Sequence, residues 1–198
     1  MIPISNDNWA LSVMVFLPLA GAVVLLFIPR ALGDVHKLVA LITSIATAGM
    51  GVYLLATFDY DQSSRLQYFV SVPWINVLHS RYIMGLDGIS LPLVLLTMGI
   101  TVAVVVYSLD HIPEPGNPKA LFILVLLLEV GMLGTFVAQD LILFFVFFEV
   151  VLLPMFFMIG VWGGPNRQYA AIKFFLFTLF GSALMSSVNL CPRKRRAA

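Results

Sequence analysis

Three ionisable side chains sit inside long apolar stretches: Glu129 in LVLLLEVGMLG, Glu149 in LILFFVFFEVVLLPMFF and Lys173 in AAIKFFLFTLF. A charge at the centre of a membrane-spanning helix costs roughly 2.5 to 3.5 kcal/mol even on the lenient insertion scale, so intramembrane ionisable residues default to ion or proton pathways. The chemistry they suggest is a proton relay. Pro154 sharpens the case for Glu149, because it cannot donate the usual helix hydrogen bond to the carbonyl of Val150, next to the carboxylate. A kink and a freed carbonyl are expected there. The bland alternative is a neutral Glu149 tied to a neighbouring helix for packing alone. Glu129 stands open between the same two readings. Lys173 lies on the other side of the midplane from Glu149, offset by about 12 Å at 1.5 Å per residue, so a direct ion pair is not expected and snorkelling toward the near interface is the simpler account.

Other chemistries lack their residues. The single cysteine, Cys191, leaves no intrachain disulfide, Cys-ligated iron-sulfur cluster, CxxCH haem attachment or Cys-rich zinc site. His36, His79 and His111 are read as falling in polar connections, solvated rather than paired as haem ligands. Lys and Arg number 11 against 10 Asp and Glu, which leaves no basic surface for nucleic acid.

These residues need helices to hold them in a bilayer. The 198-residue chain is 61% hydrophobic and 11% charged, whereas soluble domains carry about 25% charged residues. About 20 apolar residues cross a bilayer as a helix, and six such runs span approximately 9–28, 35–58, 86–109, 119–138, 140–162 and 168–190. The expected fold class is all-α, a polytopic transmembrane bundle of six helices in contact with lipid. Runs such as LILFFVFF are apolar on every face, which excludes barrel strands. Asp7 and the absence of Lys or Arg before the first run, together with its length, argue against a cleaved signal.

The connections add detail. The link from Asp59 to Gly85 begins DYDQSS and carries Pro73, Trp74 and Tyr82, as an interfacial loop or short hairpin would. HIPEPGNPK, from His111 to Lys119, is a turn-rich loop. Runs four and five meet at Gln139 and Asp140, which predicts a tight antiparallel hairpin with Asp140 as N-cap, and Asp87 takes the same part before run three. In that hairpin Glu129 comes nearly level with Glu149, and two carboxylates facing inward together could not both be ionised cheaply. Gly131, Gly134 and Ala138 permit close helix approach, and the phenylalanine clusters around 144–148 and 174–177 pack or face lipid. Arg30, Lys37, Lys119, Arg167 and Lys173 on one side outnumber Arg65 and Arg81 on the other, which places the N terminus outside. The basic tail then falls on the side that rule disfavours.

The stretch FVAQDLILFFVFFEVVLLPMFFMIGVWGG, followed by RQYAAIKFFLFTLFGSALM, resembles the subunit M family of proton-pumping NADH-quinone oxidoreductase, called chain 4 in mitochondrial complex I. MGLDGIS at the head of run three agrees with it. The resemblance covers most of residues 1–186, and its specific part is an intramembrane Glu with Pro at the fifth position, before a WGG turn. It implies the N-terminal part of an antiporter-like fold of about fourteen helices, with two inverted repeats of about five helices forming half-channels. It implies that Glu149 is the family's essential carboxylate and that Lys173 matches a lysine near the start of the sixth helix. It also implies that NADH, FMN, iron-sulfur clusters and quinone are handled by other subunits, with no cofactor on this chain. The implied partners are other membrane-arm subunits of complex I, in a bacterial inner membrane or an organellar energy-transducing membrane.

On this reading residues 1–117 hold helices one to three with their loops, 118–190 begin the proton-translocating part, and 191–198 form a basic tail. The chain ends after the sixth helix, without the family's seventh-helix lysine or second repeat, and SSVNLCPRKRRAA reads like a frameshift or premature stop. A true short protein with a basic anchor is the alternative. The rival functions are a subunit of a cation/proton antiporter or membrane-bound hydrogenase, and a non-conducting scaffold or relic.

Overall fold

A computed structural model describes residues 8–30, 32–63, 65–75, 80–112 and 117–190. Among the described residues six α-helices follow in order: α1 (Asn8–Phe27), α2 (Gly33–Thr57), α3 (Ser90–Asp110), α4 (Pro118–Val137), α5 (Leu141–Trp162) and α6 (Arg167–Leu190). All six are long and apolar enough to cross a membrane, and the chain is an integral membrane protein. A helix satisfies its own backbone hydrogen bonds, so a chain this apolar folds as helices wherever it meets hydrocarbon.

Local chemistry sets the helix ends. Asn117 Oδ1 accepts from the Ala120 N–H at 3.3 Å and Pro118 opens α4, where its missing N–H costs nothing. Asp87 Oδ1 accepts from the Ser90 N–H at 2.7 Å at the head of α3. At the far end of α1, Lys119 Nζ donates to the carbonyls of Leu26 and Ile28 at 2.9 and 2.8 Å, which satisfies groups that a helix C-terminus leaves open. Thr43, Thr47, Thr97, Thr101, Thr135 and Thr178 each donate back to the carbonyl four residues earlier, which is how the helices carry hydroxyls in apolar surroundings.

Between α2 and α3 the long connection contains an antiparallel hairpin, β1 (Gln67–Ile75) and β2 (Ser80–Leu86), with Val70 opposite Met84 and Val72 opposite Tyr82. The third apolar run therefore splits: Leu86 ends β2, and α3 begins at Ser90. Irregular pairing between Gln67 and Val70 coincides with Tyr68 at φ 53°, a left-handed conformation that non-glycine residues rarely adopt. Tyr68 is nevertheless buried, and its hydroxyl bonds Thr57 Oγ1 at 2.6 Å.

Helix α4 is the centre of the bundle, packed against α1, α2, α3 and α5, while α5 links it to α6. Gly131 and Gly134 make the α4 to α5 contact possible. A Cβ on Gly131 would come within 2.6 Å of Val151 Cγ2, and one on Gly134 would enter the Phe147 ring. Among the phenylalanines, Phe147 is buried in the core and Phe177 is 84% exposed, so both expected uses occur.

One expectation fails at His36. It is not in a polar connection: α2 starts at Gly33, and the ring lies in its first turn, fully buried, with neither nitrogen hydrogen-bonded among the described residues. The run read as starting at residue 35 already contained His36, and the folded chain buries its ring completely. His111 does lie at the end of α3, exposed and stacked on Tyr107 with ring centres 4.8 Å apart. His79, Cys191 and the basic tail lie outside the described residues.

Candidate proton site

Glu149 is set by the helix that carries it. Asp140 Oδ1 accepts from the N–H groups of Ile142 and Leu143 at 2.9 and 3.1 Å, capping α5 two turns before the carboxylate. Pro154 is buried within the same helix, and the Val150 carbonyl has no helix donor at that position. The chain then turns through Gly163 and Gly164 into α6, which runs back along α5.

That antiparallel return determines the partner of Glu149. Gly160 of α5 faces Ala171 of α6, with 3.6 Å between an added Cβ and the alanine Cβ. Eleven residues back on α5 and eleven forward on α6 lie Glu149 and Ser182, and the Ser182 hydroxyl is hydrogen-bonded to Glu149 Oε1. Ser182 is buried and Glu149 partly so. Ser182 also lines a cleft of about 320 Å³ between the two helices, walled by Phe144, Phe148, Phe177, Thr178, Gly181 and Met185, and Glu149 itself is not on that wall.

Glu129 stands elsewhere. It is fully buried in α4, and neither carboxylate oxygen has a hydrogen-bond partner among the described residues. The two glutamates are near in depth, but they are not brought together. Phe147 and Val151, two residues on either side of Glu149, are the α5 residues that meet Gly134 and Gly131 of α4. With about 100° of helix per residue, Glu149 points about 160° away from them, toward α6.

Lys173 is exposed on α6, its Nζ 5.9 Å from the centre of the Tyr169 ring. Nine residues separate it from Ser182, about 13 Å along the helix, so it does not reach the carboxylate. The arrangement is thus a carboxyl and a hydroxyl in contact, with a second carboxyl and an amine apart from them. A carboxyl bonded to a hydroxyl can hold a proton or release it without losing its partner.

Sequence reasoning passed over Ser182. The register that levels Glu129 with Glu149 about one turn, applied to the turn at residues 163–166, would have levelled Glu149 with Ser182.

The turn between α4 and α5 carries a second polar cluster. Besides capping α5, Asp140 Oδ1 accepts from the Ser80 hydroxyl at 2.9 Å. Gln139 N–H donates to the Ile83 carbonyl at 2.9 Å, and Met84 bridges to Ala138. The hairpin is thereby fastened to the turn from which the glutamate-bearing helix starts. Burial pushes the Asp140 carboxyl up, but hydrogen bonds from Leu143, Ser80, Arg81 and Ile142 outweigh it and hold the group below the usual range.

Residues 14–136 match the family described as NADH-ubiquinone oxidoreductase chain 4, amino terminus, and residues 138–187 match NADH:quinone oxidoreductase/Mrp antiporter, TM. NADH-quinone oxidoreductase subunit M of Rhodobacter capsulatus is 44% identical over 182 residues, covering 88% of this chain and 34% of that protein. Subunit M of Rickettsia typhi is 36% identical over 178 residues, covering 87% of this chain and 35% of that protein. A chain of respiratory complex I from Thermus thermophilus superposes with a TM-score of 0.74 at 27% identity, over 89% of this chain and 34% of that one. The chain spans about a third of the length of the relatives it matches. The description matched by residues 14–136 takes in well over half of the chain, including the helix that carries Glu129, and the chain belongs to the NADH-ubiquinone oxidoreductase chain 4 family.

Proposed function

We propose that this chain is the N-terminal part of a membrane-arm subunit of proton-translocating NADH:quinone oxidoreductase, in which Glu149 carries a proton. The observation behind this reading is a partly buried carboxyl, hydrogen-bonded to a hydroxyl, within helices of bilayer length. A buried carboxyl with a hydroxyl partner has the means to take up and release protons where no water-exposed base is at hand. Glu129 serves as a second proton-accepting group in α4, and Lys173 as a charge nearer the inner face that shifts the energy of the relay. Residues 118–190 begin the translocating part. The redox steps, with NADH, FMN, iron-sulfur clusters and quinone, belong to other subunits, and this chain binds none of them. Its partners are the neighbouring membrane-arm subunits, and the bacterial relatives favour a plasma membrane.

The description matched by residues 138–187 is shared with Mrp antiporters, but that matched by 14–136 is not, which favours the oxidoreductase complex. Two measurements test the reading. In a full-length relative, the equivalent of Glu149→Gln is expected to abolish proton pumping while the complex still assembles, and normal pumping would leave only a packing role. The 198-residue chain in liposomes is expected to show no proton flux above background in a pH-dye assay under an imposed potential, since the described helices are unbroken. Uptake that disappears in Glu149→Gln would instead make this chain a self-sufficient conductor.

A further inference from the structure

Ser182 Oγ lies within hydrogen-bonding distance of two acceptors, Glu149 Oε1 across the helix pair and the Leu179 carbonyl of its own helix at 3.0 Å. A hydroxyl has one proton and can donate to one of them at a time, while its lone pairs can still accept. Both protonation states of Glu149 are accommodated by that arrangement. When the carboxyl is charged, the serine donates to it. When it is neutral, the carboxyl O–H donates to Oγ and the serine proton turns to the Leu179 carbonyl. The serine proton stays on Oγ throughout, and only its direction changes.

We infer that Ser182 is the positioning residue of the proton site, holding the Glu149 side chain toward α6 in both protonation states by reversing its hydrogen bond. The inference rests on the reading of Glu149 as a proton carrier. Position supports it, because Ser182 is 4% exposed and lines the cleft between α5 and α6, whereas Glu149 is not among the residues lining it. Thr178, one turn earlier on α6, is different, since its hydroxyl donates to the Phe174 carbonyl of its own helix. A serine serving only to pack would need no acceptor on another helix, and burying an unused hydroxyl beside a carboxyl costs free energy.

The test is infrared difference spectroscopy of the 198-residue chain in lipid vesicles across a pH titration. The Glu149 carboxyl band is identified as the one missing in Glu149→Gln. In Ser182→Ala that band is expected to move to the higher frequency of a less hydrogen-bonded carboxyl, and in Ser182→Thr, which keeps the hydroxyl, to return to the parental frequency. A band unmoved in Ser182→Ala overturns the inference while leaving Glu149 a proton carrier. A band that stays displaced in Ser182→Thr overturns it as well, since side-chain shape and not the hydroxyl would then be responsible. If no titrating carboxyl band is lost in Glu149→Gln, Glu149 carries no proton, and the functional reading falls together with the inference.

Discussion

Asp140 and Ser80 are joined by a 2.9 Å hydrogen bond between carboxylate and hydroxyl, so the residue that caps the glutamate-bearing helix also holds the end of a hairpin sixty positions earlier in the chain. Capping fixes where α5 begins, and the hairpin fixes where that beginning sits. Asp140→Ala is expected to destabilise the protein by about 1 kcal/mol for the lost cap, with an additional loss for the unpaired Ser80. Thermal unfolding in detergent, followed by circular dichroism, measures the difference, and an unchanged midpoint would show that the cluster holds nothing.

The same group gives a pH dependence. Its carboxyl titrates below the usual range when folded, and the unfolded value is about 3.9. Its stabilising contribution is therefore complete above the unfolded value and is lost as pH falls through the lower folded value. The parent is expected to exceed Asp140→Asn in stability at neutral pH, with the gap narrowing below about pH 4. A gap that widened with acid would reverse the sign and refute this account.

Glu129 offers a separation of stability from function. Its oxygens are buried without a partner among the described residues, so Glu129→Leu, similar in volume and without the polar atoms, is expected to raise stability by about 1 to 3 kcal/mol. In a full-length relative bearing the same glutamate, that variant is expected to pump less. A variant that loses stability would reveal a hydrogen-bond partner for the carboxyl.

Close helix approach can be tested by a pair of glycines. Gly134→Ala puts a Cβ into the Phe147 ring, whereas Gly99→Ala meets nothing within 4 Å. The first is expected to cost about 1 to 3 kcal/mol for overpacking, and the second to be neutral or slightly stabilising as helix propensity dictates. Equal effects in an unfolding assay would remove the steric argument.

Orientation is testable by labelling. Asp61→Cys, on the side of the hairpin, is expected to react with an impermeant maleimide in intact cells, and Asn166→Cys, in the turn between α5 and α6, only after permeabilisation. The opposite pattern would place the positive loops outside.

The residues alone determined the number of spans, because length and apolarity decide whether a segment can cross a bilayer and both are local properties. They determined the caps for a similar reason: Asp87 and Asp140 bond N–H groups only two or three positions away. Gly131 and Gly134 marked a close contact since a missing side chain is itself the signal. The direction of Glu149 was decided by tertiary structure. Helix α5 is apolar all round, so it has no polar stripe to set its rotation about its own axis, and a carboxyl that the hairpin register only made level with Glu129 turns to Ser182. His36 follows the same logic: Asp34 and Lys37 beside it suggested water, and only the folded chain buried the ring in the first turn of α2. The hairpin was legible as a possibility in the long connection, but its attachment to Asp140 joins positions sixty residues apart, a relationship that no local pattern in the sequence encodes.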